Sequence, residues 1–297
     1  MLLAVALLLP LAAAAADRGW NGSARWSLER TPKSGPPRSI GAYNAGCLQG
    51  AAPLPPEGLG FEVMHLHRHR YFGHPVLVDF VRRLAGRAQT EHLPVLLIGD
   101  LAQARGGPTP SDHGSHQSGL DVDIAYTRPA QTLSKTMADE EREELQPPAV
   151  VDLATHRLTT AWSARSADLV ALAAEDPTVE RIFVNAAVKR ELCALEPRAA
   201  PWIGKIRPWW GHHDHFHVRL RCPGGSPECR MQPPVPEGDG CDATLAWWFS
   251  HEARRIRPTR RAAPALPAGV AVKRLGADLD HDTLLDLIFT SDHVVTW

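Results

Sequence analysis

The 297-residue sequence has five cysteines, Cys47, Cys193, Cys222, Cys229 and Cys241, but no C-x-x-C pair among them. That absence speaks against a structural zinc cluster built on cysteine knuckles. There is no excess of positive charge either: 32 Lys and Arg stand against 33 Asp and Glu, for a formal net charge of −1. A nucleic-acid binder needs a basic face, so nucleic acid is not an expected partner. Beyond residue 16 no apolar run is long enough to cross a bilayer, so no stable membrane insertion is expected. No internal repeat is visible, which sets aside solenoids and propellers.

The opening residues have their own signature. Met1 to Leu11 is almost unbroken apolar sequence, followed by Ala12 to Ala16 and then Asp17-Arg18. A short apolar core closed by small residues predicts an export signal peptide over 1–16, although the usual leading Lys or Arg is missing. Cysteine usage agrees with export, because disulfides persist in oxidising compartments. Cys222 and Cys229 bracket the loop P-G-G-S-P-E, and Cys193 and Cys241 are the other natural pair. Spacing alone leaves the connectivity open, and an odd count leaves one thiol over.

Histidine is plentiful, with 15 residues, and it is clustered. The stretch S-D-H-G-S-H-Q-S-G-L-D-V-D at 111–123 places His113 and His116 ahead of Asp121 and Asp123. The stretch W-W-G-H-H-D-H-F-H-V-R at 209–219 packs His212, His213, His215 and His217 around Asp214. Neutral imidazole and carboxylate are the ligands zinc takes when a coordination position must stay open. Two separated segments that each supply part of such a set predict a metal site assembled by folding. The period-two segment L-D-V-D-I-A-Y puts Asp121 and Asp123 on one strand face. H-F-H-V-R-L does the same for His215 and His217, with Cβ atoms roughly 6–7 Å apart. Gly119, between His116 and Asp123, would let the backbone pass close to the site.

The rest of the chain reads as mixed α+β. Residues 17–60 are expected to be an irregular lead-in rich in Pro and Gly. Apolar periodicity predicts an amphipathic helix over 74–87, with His74 at its start and Pro75 in the first turn. Val95 to Ile98 is a predicted strand, 166–175 a helix, and Arg181 to Val184 a strand. Asn185 is placed to cap the next helix. His65, His67 and His69 alternate on what reads as a strand, but no carboxylate accompanies them. Trp209 and Trp210 are candidates for a substrate wall or for core, and Trp247 and Trp248 are expected in the core. From about 253 the chain turns Arg-, Pro- and Ala-rich and reads as a tail of low order.

H-x-x-G-x-D-x-D followed by H-x-H resembles the signature of the zinc peptidases that group lysostaphin-type, D-Ala-D-Ala metallopeptidase and hedgehog-like domains. R-Y-F-G-H-P at 70–75, L-I-G-D at 97–100, S-H-Q-S-G-L-D-V-D-I at 115–124, R-I-F-V-N at 181–185, R-P-W at 207–209, H-V-R-L-R-C at 217–222 and G-D-G-C at 238–241 narrow it. Together they resemble the penicillin-insensitive murein endopeptidase family, from about residue 38 to 250. The resemblance implies a small antiparallel sheet carrying a zinc site, flanked by helices and long disulfide-tied loops. It implies a periplasmic zinc endopeptidase acting on peptidoglycan at the D-alanyl–meso-diaminopimelyl cross-link.

By matching positions, the resemblance implies that His116, Asp123 and His217 hold the zinc, with His113 near or on it. It makes His215 the general base and His212 a group that orients or polarises the transition state. Asp121 would support the ligands or accept a charged substrate group. The family also carries a second metal position, for which this chain offers His156, but the residue three before it is Leu153 where an Asp is expected. No cysteine follows Cys241, so Cys47 lacks the partner the family usually provides. The expected division is a signal peptide at 1–16, the peptidase at 17–252 and an atypical tail at 253–297. A homodimer is compatible with the sequence. Two rival functions share the same residues. A zinc D-Ala-D-Ala carboxypeptidase would need a cation for the free carboxylate, with Arg181, Arg207 and Arg219 as nominees. A catalytically silent periplasmic zinc- or wall-binding protein would not need His215.

Overall fold

A computed structural model of the chain describes residues 26–110, 114–132, 136–195 and 200–255. The expected signal peptide, His113 and all of the tail beyond 255 lie outside the described residues. The first strands are β1 (Arg38–Ala42), β2 (Ala45–Gln49), β3 (Ala52–Pro53), β4 (Glu57–Gly58), β5 (Phe61–Val63) and β6 (Phe72–Gly73). Helix α1 (Pro75–Thr90), β7 (Leu96–Ile98), β8 (Asp121–Ala125), α2 (Asp139–Glu144), β9 (Val151–Asp152) and β10 (Arg157–Leu158) follow. The chain continues through α3 (Ala164–Glu175), β11 (Val179–Val184), α4 (Ala186–Leu195), β12 (Ile206–Pro208), β13 (His215–Leu220) and β14 (Cys229–Arg230). Two short helices, α5 (Ala243–Trp247) and α6 (His251–Arg255), close the described chain.

The class is α+β, as the sequence suggests. Seven strands form one sheet in the order β12-β11-β13-β8-β7-β5-β4. Its middle, β11-β13-β8-β7, is antiparallel. Parallel pairs, β11 with β12 and β5 with β7, extend it on either side, so the expected antiparallel sheet is the centre of a larger mixed one. The alternation of β8 and β13 divides two environments. Val122, Ile124, Phe216, Val218 and Leu220 enter the hydrophobic core with Leu77, Phe80, Val81 and Leu84 of α1 and Leu169, Val170 and Leu172 of α3. Asp121, Asp123, His215, His217 and Arg219 therefore share the opposite face.

Local chemistry explains the helices. His74 caps α1 by accepting from the Val76 N–H through Nδ1 at 3.2 Å, and Pro75 sits in the first turn where its missing N–H costs nothing. Asn185 caps α4, its Oδ1 accepting from the Ala187 N–H at 3.0 Å. Arg83 of α1 pairs with Asp176 just past α3 at 3.1 Å. Disulfides Cys193–Cys241 and Cys222–Cys229 tie the loops after α4 and β13. Cys47, buried on β2, is the free thiol.

Three expectations need correction. The lead-in is not irregular throughout: β1 and β2 form a hairpin, which β14 extends into a second sheet, β14-β1-β2. Gly41, at φ +73°, allows it, because a Cβ there would lie 2.4 Å from the Ala45 carbonyl oxygen. His65, His67 and His69 do not alternate on a strand. A 3₁₀ turn over Leu66–Arg68 lies between His65 and His69, both left-handed, and His67 pairs with Glu143 at the surface. Trp247 and Trp248 are half-buried rather than core, and pack edge-on or tilted against Trp209 and Trp210 in a surface aromatic cluster.

Candidate metal centre

Register across the β8–β13 pair assembles the site. Asp123 stands opposite His217, and Asp121 opposite Arg219. The loop before β8 then brings His116 in from the side, in a left-handed backbone conformation at φ +66°. The turn at Gly119 (φ +74°) makes this possible, and its close neighbours are Leu48 and the His74 backbone rather than the site itself. His116, Asp123 and His217 are buried, and each offers a ligand atom within 4.8 Å of the other two. His116 Nε2 lies 3.3 Å from Asp123 Oδ2, and His217 Nδ1 lies 3.1 Å from Asp123 Oδ1.

The electrostatics call for a cation. Burial alone would raise the Asp123 pKa, yet His116 and His215 outweigh it and hold the carboxyl well below the usual range. Burial would likewise depress His116, but the Asp123 carboxylate raises it to about 9. Two imidazoles and an ionised carboxylate, in reach of one another and shielded from water, fit a zinc ion that keeps a fourth position open. Asp121 supports this set from behind. It accepts from the His116 backbone N–H at 2.9 Å and from Arg219 at 2.7 and 3.1 Å, and lies 3.2 Å from His217 Nε2. Burial opposes its charge, while Arg219 and His217 keep it ionised, far below the ordinary carboxylate range.

His215 precedes His217 by one strand period and sits beside the triad. Its Nδ1 bonds Asp214 Oδ1 at 2.6 Å, which leaves Nε2 3.8 Å from Asp123 Oδ1. Burial lowers its pKa, but the carboxylates of Asp123 and Asp214 raise it overall. His212, at φ +49°, places Nδ1 2.9 Å from the Trp210 carbonyl oxygen, with its ring 5.2 Å from that of His215. Burial and the neighbouring His215 and His217 push it down to about 3, so the ring is neutral.

Trp209, 41% exposed, packs its ring 5.8 Å from Phe183, whose ring is 5.4 Å from His217. It therefore reaches the site through Phe183. His156 does not join the triad. It lies in the turn between β9 and β10, where Asp152 Oδ1 accepts from the Ala154 and Thr155 N–H groups. Among the described residues, only His116, Asp123 and His217 form a grouping of three metal-capable side chains. Sequence reasoning gave Asp214 and Phe183 no role. Asp214 lies next to His215 in the chain and was the more findable of the two.

Known proteins bear on this geometry. The family model described as penicillin-insensitive murein endopeptidase matches residues 39–272. A penicillin-insensitive murein endopeptidase of Yersinia enterocolitica is 43% identical over 246 residues, covering 82% of this chain and 87% of that protein. One from Klebsiella pneumoniae is 39% identical over 264 residues, covering 87% and 94%. One from Haemophilus influenzae is 42% identical over 228 residues, covering 75% and 78%.

Proposed function

The chain belongs to the penicillin-insensitive murein endopeptidase family, and on that premise we propose that it is a zinc-dependent hydrolase of D-alanyl–meso-diaminopimelyl cross-links in periplasmic peptidoglycan. The observation that carries the reading is the buried set His116, Asp123 and His217 with His215 beside it on the same strand face. These three residues would hold the zinc, which supplies Lewis acidity to the scissile carbonyl and lowers the pKa of the attacking water. His113 is retained as a candidate neighbour of the metal. His156 remains a candidate only for a separate ion.

His215 takes the proton. As water attacks the D-alanyl carbonyl carbon, one proton passes to Nε2 of His215, whose Nδ1–H is held by Asp214. Asp214 thereby fixes the tautomer and stabilises the imidazolium. When the C–N bond breaks, His215 returns that proton to the diaminopimelate amine, so acid and amine leave with atoms balanced. His212, neutral and bonded through Nδ1 to the Trp210 carbonyl, orients the reacting groups through Nε2. Trp209 would form part of the substrate wall. The signal peptide at 1–16 would deliver the protein to the periplasm. Among the described residues no helix is long and apolar enough to cross a membrane.

The carboxypeptidase alternative loses two of its three nominees to other partners and keeps Arg207. Arg219 is committed to Asp121 and Gln232, and Arg181 to Glu180 and the Pro233 carbonyl. Purified cross-linked muropeptide dimers, incubated with the zinc-loaded protein and read by mass spectrometry, test the proposal. Dimers should become monomers that keep their terminal D-Ala, and EDTA should stop the reaction. Loss of terminal D-Ala from intact dimers would establish the carboxypeptidase instead. His215→Ala should keep zinc and lose about 10²- to 10⁴-fold in rate. Full activity in that variant would remove His215 as the base.

A further inference from the structure

The polar face of the sheet holds one charged group that the proposed mechanism leaves without a task. Arg219 follows His217 by one strand period and stands opposite Asp121 in register. It is buried, and its guanidinium lies 4.2 Å from the centre of the Tyr43 ring and 5.0 Å from that of Phe183. Nη1 donates to Gln232 Oε1 at 2.6 Å. Nε and Nη2 donate to the two oxygens of Asp121 at 2.7 and 3.1 Å. A planar fork bonded to both oxygens fixes the plane of a carboxylate as well as its position.

That plane matters because each Asp121 oxygen has a second partner. Oδ2 accepts from the backbone N–H of His116, and Oδ1 lies 3.2 Å from Nε2 of His217. The Asp121 carboxylate, 3.2 Å from Nε2 without hydrogen-bond geometry, favours the proton on that nitrogen by its charge, which leaves the lone pair of His217 on Nδ1, 3.1 Å from Asp123. The same carboxylate anchors the left-handed backbone of His116. One aspartate thus anchors His116 by a hydrogen bond and biases His217 by its charge, and one arginine orients the aspartate.

We propose that Arg219 is a positioning residue of the metal centre: acting through Asp121, it sets the ring nitrogen His217 presents and the backbone placement of His116. The inference rests on the reading of His116, Asp123 and His217 as zinc ligands. It also takes Arg219 out of substrate recognition.

The test is zinc affinity, measured on the purified, EDTA-stripped protein by competition with a chromophoric chelator. Arg219→Gln should weaken zinc binding about ten- to hundred-fold, the range found for residues that orient metal ligands. Arg219→Lys should recover part of the loss, since an ammonium keeps the charge but cannot form the fork. In an Asp121→Asn background, Arg219→Gln should add little, because both changes cut the same connection. Unchanged affinity in Arg219→Gln, or losses that multiply in the double variant, would overturn the inference. If Arg219→Gln does not fold, cobalt-loaded Arg219→Lys decides the matter. A shifted visible absorption band supports the inference, and a wild-type band overturns it. If the wild-type chain binds no zinc, the metal reading falls and takes this one with it. Wild-type binding with an indifferent Arg219 removes only this one.

Discussion

Burial alone would strip the proton from the His116 ring, yet the Asp123 carboxylate 3.3 Å away keeps it in place up to about 9. A zinc ion must displace that proton, since only the neutral imidazole binds a metal. Zinc affinity should therefore rise about tenfold per pH unit through the neutral range and level off above about 9. Competition titrations from about pH 6 to about pH 10 check this, and a flat profile would remove His116 as a ligand. In the metal-free protein the same raised pKa stabilises the fold. The contribution is fully present below the unfolded value of about 6.5 and is lost as pH rises through about 9. Residue identity made His116 findable, but not its charge. Asp214 shows the complementary case. It is the chain neighbour of His215 but lies just outside β13, so strand alternation does not turn the two side chains to opposite faces. The bend just before β13 puts the two side chains together.

At the scale of elements, strands β8 and β13 carry apolar residues on one side and the site on the other, so their core packing sets the site's geometry. Phe216 is fully buried between His215 and His217 in the chain. Phe216→Ala should cost about 3–5 kcal/mol, because the cavity it leaves adds to the lost burial. Urea denaturation of the metal-free protein measures the cost, and a loss below about 1 kcal/mol would mean that the site is held by its polar contacts instead. Helix α1 and strands β8 and β13 were legible from their periodicity, and β7 from a short apolar run ending at Gly99-Asp100. The β1–β2 hairpin was not. Its strands are short and hold Gly41 and Gly46, which weaken any alternating pattern, and its pairing depends on how closely two backbones approach. The segment around His65 to His69 misled for a related reason: alternation of one residue type over a few positions says nothing about φ.

Across the whole molecule, the disulfides hold segments that the sheet does not. Cys193–Cys241 closes a separation of 48 residues, whereas Cys222–Cys229 closes one of 7. Loop-closure entropy assigns about 4 kcal/mol to the first and about 2 kcal/mol to the second. Replacing Cys193 and Cys241 together by Ser should therefore lower stability more than replacing Cys222 and Cys229, as thermal denaturation would show. The reverse order would mean that local strain or residual structure, rather than chain entropy, governs both. The odd thiol, Cys47, lies buried on β2, and its burial raises the pKa to about 12, so it is a poor nucleophile in the folded protein.

The amino-acid order, read with the family resemblance it carries, nominated the proposed ligands and the proposed base. Zinc's needs in residue type are narrow, and period-two spacing places His215 with His217 and Asp121 with Asp123 without reference to anything distant. The register between β8 and β13 belonged to the folded chain. So did the turn that swings His116 to within 3.3 Å of Asp123, the contact of Asp214 with His215, and the Arg219–Asp121 pair behind the triad. The β8–β13 register and the Arg219–Asp121 pair join residues far apart in sequence, while His116 and Asp123 are seven apart and meet through the turn at Gly119. They form only when burial of the apolar faces brings the strands together, because burial depends on area rather than on which particular residues meet.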